Sequence, residues 1–594
     1  MSDLLASSEG LFSALELSFA RSVTRLSGDD SLELSLAAAA TLRAVTRGDL
    51  CYLLGDPLVR DASSHDEDEA PVVVQTSQLP DARRWTDALE RSPAVECSSS
   101  YQAPTSPRPL VLDARGRLYL RRTFAAQAGI AAAVSQRVRT PLEVHESTLG
   151  AGLERLFANA PKGDLQRAAA ALAVRRGLSL ITGGPGTGKT TTVAKLLALL
   201  VEQALAKGER APRVALSAPT GKAAARLAQA ITRARGDLPV SAEVREAIPT
   251  SAGTLHRLLG LAPGMRRRLG EGRLSHDVVI VDEASMVDLG LMAELLRALS
   301  PRSRLVLLGD PSQLASVSEG AVFADLCAAP AGSTLGRAQV RLLEGHRYVS
   351  GSALDQLAEA IRGGDAEGAL ESLRTGDALA LFGAVSGRRR LSAEFLTVVE
   401  QGYADFLAAE SPRERLDAFD RFRVLCAHRR GPSGAPEISR RLQAALLERQ
   451  LLARASDGAA VFEPILVVRN APALGLFNGD VGYVDRTRSG AAVAYFRGDA
   501  GSVRSLAPSR LPAHESAWAM TIHKSQGSEV DSVALVLPAT RSAVCTRELV
   551  YTGVTRARSR VDVFSSALVL RESIANPNRR RSGLADALAA GGVS

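Results

Sequence analysis

Leu178-Ser-Leu-Ile-Thr-Gly-Gly-Pro-Gly-Thr-Gly-Lys-Thr-Thr-Thr192 decides the fold. A short apolar strand runs into Gly183-x-x-x-x-Gly188-Lys189-Thr190. An amphipathic helix follows, with Val193, Leu196, Leu197, Leu200 and Val201 on one face. Strand, glycine-rich loop and helix are the three parts a phosphate cradle needs. Gly183, Gly184, Pro185, Gly186, Thr187 and Gly188 form a loop whose backbone N–H groups close around a triphosphate. Lys189 reaches the β/γ oxygens, and Thr190, followed by Thr191, offers a hydroxyl to Mg²⁺. The helix N-terminus adds unpaired donors and a partial positive charge. The segment predicts a nucleoside triphosphate site.

Outward from this loop, 594 residues exceed what one core holds and predict several domains. A hydrophobic content of 46% and a mean hydropathy of +0.03 describe a soluble protein, and no apolar run approaches the ~20 residues of a bilayer span. The N-terminus lacks a signal-peptide pattern. The five cysteines (51, 97, 327, 426, 545) form no CxxC pair. That argues against a zinc ribbon or a disulfide framework and fits a reducing cytoplasm. A net charge of +8 permits a polyanionic partner without demanding one.

The choice of cation says more. Only six of the 72 basic residues are lysines (162, 189, 195, 207, 222, 524). Lys189, Lys222 and Lys524 each lie inside a separate motif. Lysine is a compact point charge and arginine a wide planar fork, so a site that keeps lysine against this bias needs the point charge. No lysine has Asp or Glu two residues before it, so the carboxylate-x-Lys site of many DNA nucleases is absent from the sequence.

Residues 1–110 read as a separate, mainly helical domain suited to partner docking: Leu32 to Leu54 is Ala/Leu-rich at helical spacing, and Asp61 to Ala70 is an acidic loop. Residues 111–149 read as a linker. Beyond about 150 the pattern alternates strand and helix. Leu178–Thr182, Val214–Ser217, Val278–Val281 and Leu305–Leu308 are apolar strands, each followed by a polar cluster, as in an open α/β sheet. Val424–Ala427, Val533–Leu537 and Val561–Phe564 suggest a second α/β unit. Residues 450–514, with turn signals such as Asn478-Gly479-Asp480, resemble a small inserted β-barrel.

Val278-Val-Ile-Val-Asp-Glu-Ala-Ser-Met286 is a buried strand ending in two carboxylates. Side chains alternate along a strand, so the two take different tasks. Asp282 is placed to hold Mg²⁺ through water, and Glu283 to accept a proton from the attacking water. Leu307-Leu-Gly-Asp-Pro-Ser-Gln-Leu314 ends the next strand, and Gln313 can sense the γ-phosphate. Arg347 and Arg556 are candidate arginine fingers, since charge developing on the γ-phosphate needs cations from outside the loop.

These segments, with Ala218-Pro-Thr-Gly-Lys-Ala-Ala-Ala-Arg-Leu227, Thr254-Leu-His-Arg-Leu-Leu-Gly260, Ala519-Met-Thr-Ile-His-Lys-Ser-Gln-Gly-Ser-Glu529 and Glu548-Leu-Val-Tyr-Thr-Gly-Val-Thr-Arg-Ala-Arg558, occur in the order of superfamily 1 helicases. The lysine in APTGKAA, the phrase TIHKSQGSE and Phe477-Asn-Gly-Asp-Val-Gly482 resemble RecD in particular. That family comprises the α subunits of exodeoxyribonuclease V, the RecBCD complex, and belongs to superfamily 1B. The match spans roughly 150 to 590. It implies an α/β protein with two RecA-like P-loop domains: 150–345 (1A), and 346–449 with 515–594 (2A). It also implies a hairpin insertion at 262–276 (1B), bearing Arg266, Arg267, Arg268 and Arg273, and an SH3-like β-barrel at 450–514 (2B). By the same resemblance Gln166 reads adenine, Gly527 and Glu529 lie near the nucleotide, and Lys222, Thr254, His256, Thr521 and Lys524 line the DNA path. His346 departs from the family, which often has an aromatic there. Aromatics are only 4% of the chain, so phosphate contacts should dominate DNA binding; Phe477, Trp518 and Tyr348 are the available platforms.

The resulting expectation is a cytoplasmic ATP- and Mg²⁺-dependent DNA helicase subunit. It moves 5′→3′ on single-stranded DNA, by resemblance, beside RecB-like and RecC-like partners at DNA ends, and carries no nuclease of its own. A stand-alone RecD-like helicase, a P-loop remodeller of protein or RNA, and a docking subunit with a dispensable ATP site are the rival readings.

Overall fold

The computed structural model describes residues 11–60, 72–73, 80–161, 163–261, 274–343, 351–385, 391–456, 458–486, 491–498 and 501–592. Asp61 to Ala70, the hairpin arginines 266, 267, 268 and 273, and His346, Arg347 and Tyr348 lie outside these residues. Among the described residues no helix is long and apolar enough to cross a membrane.

Two parallel sheets organise the chain. The first has six strands in the order Gln339–Leu342, Leu178–Gly183, Arg304–Gly309, Val278–Val281, Val214–Ala218, Ala252–Thr254. Every neighbouring pair is parallel. Its central strands are apolar on both faces because helices cover both: Leu178, Leu180 and Val279 face one core, and Ile181, Val278 and Ile280 the other. The second sheet has five strands, Leu379–Phe382, Ala557–Phe564, Val530–Val536, Phe422–Cys426 and Met520–Thr521, again all parallel. All seven strands read from the apolar runs are present, with ends that agree to within two residues except that Val530–Val536 and Ala557–Phe564 begin three and four residues earlier than read.

Between Phe422–Cys426 and Met520–Thr521 the chain leaves to build a five-stranded antiparallel sheet from Phe462–Val467, Val481–Arg486, Ala492–Arg497, Val503–Leu506 and His514–Ser516. Ile465, Val467, Val484, Ala494 and Phe496 fill its small core.

The N-terminal region differs from the helical module read from the sequence. Helices Ala14–Ser27, Leu32–Thr46 and Ala82–Glu90 are present, but they lie with a four-stranded sheet ordered Cys51–Leu53, Arg117–Leu120, Leu110–Asp113, Val95–Ser98. The helix from Leu32 ends at Thr46, and the chain continues into the first of these strands. A boundary at 110 therefore cuts a strand. The segment 111–149 is no linker, since it supplies two of the four strands and the helix Arg121–Arg139, which packs on Leu289–Ala298 of the first α/β domain. Leu50, Cys51, Val111, Tyr119 and Phe124 share one core with Val279 and Leu305, so the module is continuous with that domain.

The C-terminus also departs from the simple division. After helix Ala567–Ala575 the chain leaves the second sheet and returns to the N-terminal half. Helix Leu584–Ala590 packs there on Arg121–Arg139 and Val322–Cys327.

Candidate nucleotide and nucleic-acid site

The first sheet's register aligns its strand ends. Thr182 pairs with Gly309, Val281 with both Leu307 and Ser217, and Ala218 with Thr254. Gly183, Asp282, Asp310 and Thr254 therefore emerge at one carboxyl edge, where open α/β sheets hold ligands.

The loop after Gly183 needs its glycines for separate reasons. Gly186 and Gly188 have φ of +80° and +78°, a region costly to side chains with a Cβ. A Cβ at Gly183 would lie 2.5 Å from the Thr187 hydroxyl, and one at Gly188 would collide with the Gln166 amide. Gln166 donates to the Thr187 carbonyl at 3.3 Å, so the predicted adenine reader rests against the loop itself. Helix Lys189–Ala206 starts directly at Lys189, aiming its first N–H groups at the loop. The Lys189 ammonium donates to the carbonyls of Gly183 (2.6 Å) and Gly184 (2.8 Å), which hold it across the mouth of the cradle. Thr190 and Thr191 occupy the first turn beside it.

Asp282 and Glu283 both lie beyond the strand end, in a turn, so strand alternation does not set their directions. Glu283 has a left-handed backbone, φ +52° and ψ +42°, which costs a non-glycine residue about 1 kcal/mol. Its N–H donates to Asp282 Oδ1 at 2.9 Å, and its carbonyl accepts from Met286 N–H at 3.0 Å, fixing the turn. Burial pushes the Asp282 carboxyl up to about 6; the Glu283 charge adds to the rise, and Lys189 opposes it. A carboxyl so placed gains from a cation next to it.

Asp310 and Gln313 join this edge to the second α/β domain. Asp310 accepts from the Gln313 amide (3.3 Å) and from the Tyr551 hydroxyl (3.1 Å). Arg556 donates to Gln313 Oε1 at 3.0 Å, and also to the carbonyls of Ser528 and Thr552. The Thr552 hydroxyl accepts from Leu314 N–H at 2.9 Å, and the Gln526 amide donates to the Leu314 carbonyl. Arg556 and Gln313 are both buried. The guanidinium is thus delivered from the second domain to the glutamine of the first.

The predicted DNA residues divide. Lys222 lies on helix Gly221–Asp237, capped by Thr220, and donates to the Ser528 hydroxyl at 3.1 Å. It lines a cavity of about 460 Å³ between both α/β domains and the inserted sheet, shared with Arg226, Arg423, Phe477, Arg504 and Glu529. Phe477 lies over Gly221, where a Cβ would come within 2.9 Å of its ring. Glu529 borders the same space, and a Cβ at Gly527 would lie 3.9 Å from Ala223 of helix Gly221–Asp237. Thr254 caps the short helix Leu255–Leu258 at the adjacent strand end, with His256 exposed. Thr521 is buried at the end of its strand, whereas Lys524 is partly exposed and ion-paired with Glu515. Trp518 is fully buried among Tyr403 and Phe406, and is core.

Tyr551, Arg226 and Arg558 lie in the quoted motifs but carried no assignment from sequence. Tyr551 reaches Asp310, and Arg226 approaches Glu529 at 4.0 Å, with Arg558 on the carboxylate's other side at 3.6 Å. Their only signal was membership of APTGKAAARL and ELVYTGVTRAR.

Comparison with known proteins agrees with this geometry. Residues 8–119 match the family model of the RecBCD enzyme subunit RecD N-terminal domain, 166–319 that of an AAA domain, and 516–563 that of the UvrD-like helicase C-terminal domain. RecBCD enzyme subunit RecD of Mycolicibacterium smegmatis is 39% identical over 587 residues, 97% of each chain. That of Mycobacterium tuberculosis is 39% identical over 97% of this chain and 94% of the relative. The ATP-dependent RecD2 DNA helicase of Deinococcus radiodurans is 29% identical over 86% of this chain but only 64% of its own length.

Proposed function

Since the chain belongs to the family of RecBCD enzyme subunit RecD, and so to the ATP-dependent DNA helicases, we propose that it is the 5′→3′ motor of a heteromeric helicase–nuclease working at double-strand DNA ends. The observation that carries the motor reading is the Arg556–Gln313 hydrogen bond between the two α/β domains. A cleft whose wall on one side holds the phosphate loop, and on the other a buried guanidinium, is built so that nucleotide draws the walls together.

In this reading Lys189 and the loop N–H groups bind the β/γ-phosphates, and Gln166 contacts the base. Glu283 takes the proton of the attacking water, Gln313 orients the γ-phosphate end, and Arg556, with Arg347, neutralises the charge that develops there. Thr190 and Asp282 suit Mg²⁺, because burial and the neighbouring Glu283 charge disfavour the ionised Asp282 carboxyl and a cation beside it relieves that cost. Bound there, Mg²⁺ supplies charge neutralisation at the β/γ oxygens. Lys222, Thr254, His256, Thr521 and Lys524 contact DNA phosphates, consistent with the basic cavity beside Lys222.

Near-complete mutual coverage with RecD, against partial coverage of the longer RecD2 relative, favours the complex-forming type with RecB-like and RecC-like partners. The N-terminal region then serves docking. The antiparallel order of the 462–516 strands supports an SH3-like barrel, and the 262–276 hairpin rests on resemblance. The lack of a carboxylate-x-Lys pattern in the sequence supports reading nuclease activity as a partner's.

The test is ATP hydrolysis by the purified chain with and without single-stranded DNA at low salt, with Lys189→Ala as control. Single-stranded DNA should stimulate hydrolysis strongly, Lys189→Ala should abolish it, and a 5′-tailed duplex should be unwound in preference to a 3′-tailed one. Hydrolysis indifferent to DNA sinks the motor reading, and a 3′-tail preference sinks the direction.

A further inference from the structure

The segment after Gln313, Ser316-Val-Ser-Glu-Gly320, has no regular structure, yet one side chain from the far end of the chain grips it. Arg580 donates to the carbonyls of Ser316, Ser318 and Gly320 and to the Ser316 hydroxyl. The same turn is closed from within by the Ser316 hydroxyl, which reaches the carbonyls of Ser318 (3.1 Å) and Gly320 (3.2 Å). The contacts are spread over two guanidinium nitrogens, Nη1 reaching the Ser318 and Gly320 carbonyls and Nη2 the Ser316 carbonyl, a spacing fixed by the planar fork.

Arg580 is itself held in place. Leu50 N–H donates to the Arg581 carbonyl (2.8 Å), Arg581 N–H donates to Asp49 (2.7 Å), and the Arg581 side chain pairs with Asp56. Gly320 N–H donates to the Gly48 carbonyl at 2.8 Å. Gly48 has φ +98°, and a Cβ there would strike the Arg580 guanidinium, so this close approach requires glycine. The loop that begins at Asp310 is thus fixed at two points. Its start meets the second α/β domain through Gln313 and Leu314, and its end meets Arg580.

We propose that Arg580 is a positioning residue for ATP hydrolysis: by clamping Ser316–Gly320 it sets the orientation in which Gln313 meets the γ-phosphate and Arg556. The proposal rests on the reading of Gln313 as the γ-phosphate sensor. Arg580 touches no reacting atom. Its effect therefore falls on the rate of the chemical step and not on nucleotide binding, which the Gly183–Lys189 loop governs.

The experiment measures DNA-stimulated ATP hydrolysis by the full chain carrying Arg580→Ala, Arg580→Lys, Gln313→Ala, or Gln313→Ala with Arg580→Ala, alongside thermal melting. Arg580→Ala should lower kcat about tenfold while KM for ATP stays within about twofold. Arg580→Lys, which keeps the charge and loses the fork, should recover less than half of that loss. In the Gln313→Ala background, Arg580→Ala should remove nothing further, since both act through one group. Should Arg580→Ala fail to fold, Arg580→Gln gives the same measurement with two donors retained. A lower melting temperature with kcat per folded molecule unchanged makes Arg580 a purely structural tie and overturns the proposal. If Gln313→Ala lowers kcat and Arg580→Ala does not, the proposal alone falls. If Gln313→Ala itself has no effect, the sensor reading falls with it.

Discussion

The two parallel sheets have the same architecture but offer opposite ends to the cleft. In the first, functional groups follow the strands: Gly183 after Leu178–Gly183 begins its loop, Asp282 after Val278–Val281, Asp310 after Arg304–Gly309. In the second, the groups that reach the first domain precede the strands. Glu529 comes before Val530–Val536 and Arg556 before Ala557–Phe564, and the pairing of Val530 with Ala557 sets these two side by side. The carboxyl edge of a parallel sheet is where loops and helix N-termini gather, so it suits a cradle. At the opposite edge the group aimed at Gln313 is the Arg556 cation, with the Glu529 carboxylate beside it. In the proposed function, one sheet binds and the other reports on what is bound.

The largest expected effect tests that division. Arg556→Ala should lower kcat for ATP hydrolysis by about a thousandfold, the scale on which an arginine finger acts, with KM for ATP changing far less. It also leaves the buried Gln313 amide oxygen without its partner, at about 1–3 kcal/mol of stability. Steady-state kinetics separate the outcomes. If KM rises and kcat holds, the second sheet is only a lid and the comparison fails.

How much of this was legible in sequence follows from the same contrast. The first sheet's motifs sit immediately after apolar strands, so strand and site announce each other, and Lys189, Asp282, Glu283 and Gln313 all fall on one edge. The second sheet's Arg556 could be singled out among 66 arginines only through its motif. Edge strands escaped notice. Ala252–Thr254 and Gln339–Leu342 are three or four residues long and lack an apolar run, and Leu379–Phe382, though apolar, is only four residues long. The N-terminal sheet is hidden for a similar reason, its strands being three or four residues each amid helix-forming alanines and leucines. The C-terminal return was invisible in principle. Asn576-Pro-Asn-Arg-Arg-Arg-Ser-Gly583 reads as a polar loop, and the partners of Arg580 are mostly backbone carbonyls, which carry no residue-type signal.

A smaller effect sharpens the comparison at the DNA side. Burial pushes the Lys222 ammonium down to about 8; Arg226 and Arg423 add repulsion, while Asp420 and Asp480 oppose it. The cation is present below that pH and is lost as pH rises through it. Single-stranded DNA binding should therefore weaken between pH 7 and pH 9 in the natural chain, with the salt slope falling by about one phosphate contact. Lys222→Ala should show the reduced slope at both pH values, and Lys222→Arg should hold the full slope at both. Fluorescence anisotropy across a salt series measures this. A pH-independent slope in the natural chain would remove Lys222 from the phosphate path.

The smallest expected effect concerns the hydroxyl that joins the two sheets without any charge. Tyr551 is buried and donates to Asp310 at 3.1 Å, while Asp310 also accepts from the Ser312 N–H and the Gln313 amide. Tyr551→Phe removes one hydrogen bond and leaves the carboxylate two others, so the loss should be about 1 kcal/mol or less. If the second sheet acts on Asp310 only through Arg556 and Gln313, that loss appears in thermal melting and kcat is unchanged. If the hydroxyl also reports closure to the loop beginning at Asp310, kcat falls several-fold with the same small change in melting. The second result would mean that the reporting edge uses a neutral group as well as a cation, and the division between a binding sheet and a cation-supplying sheet would have to be redrawn.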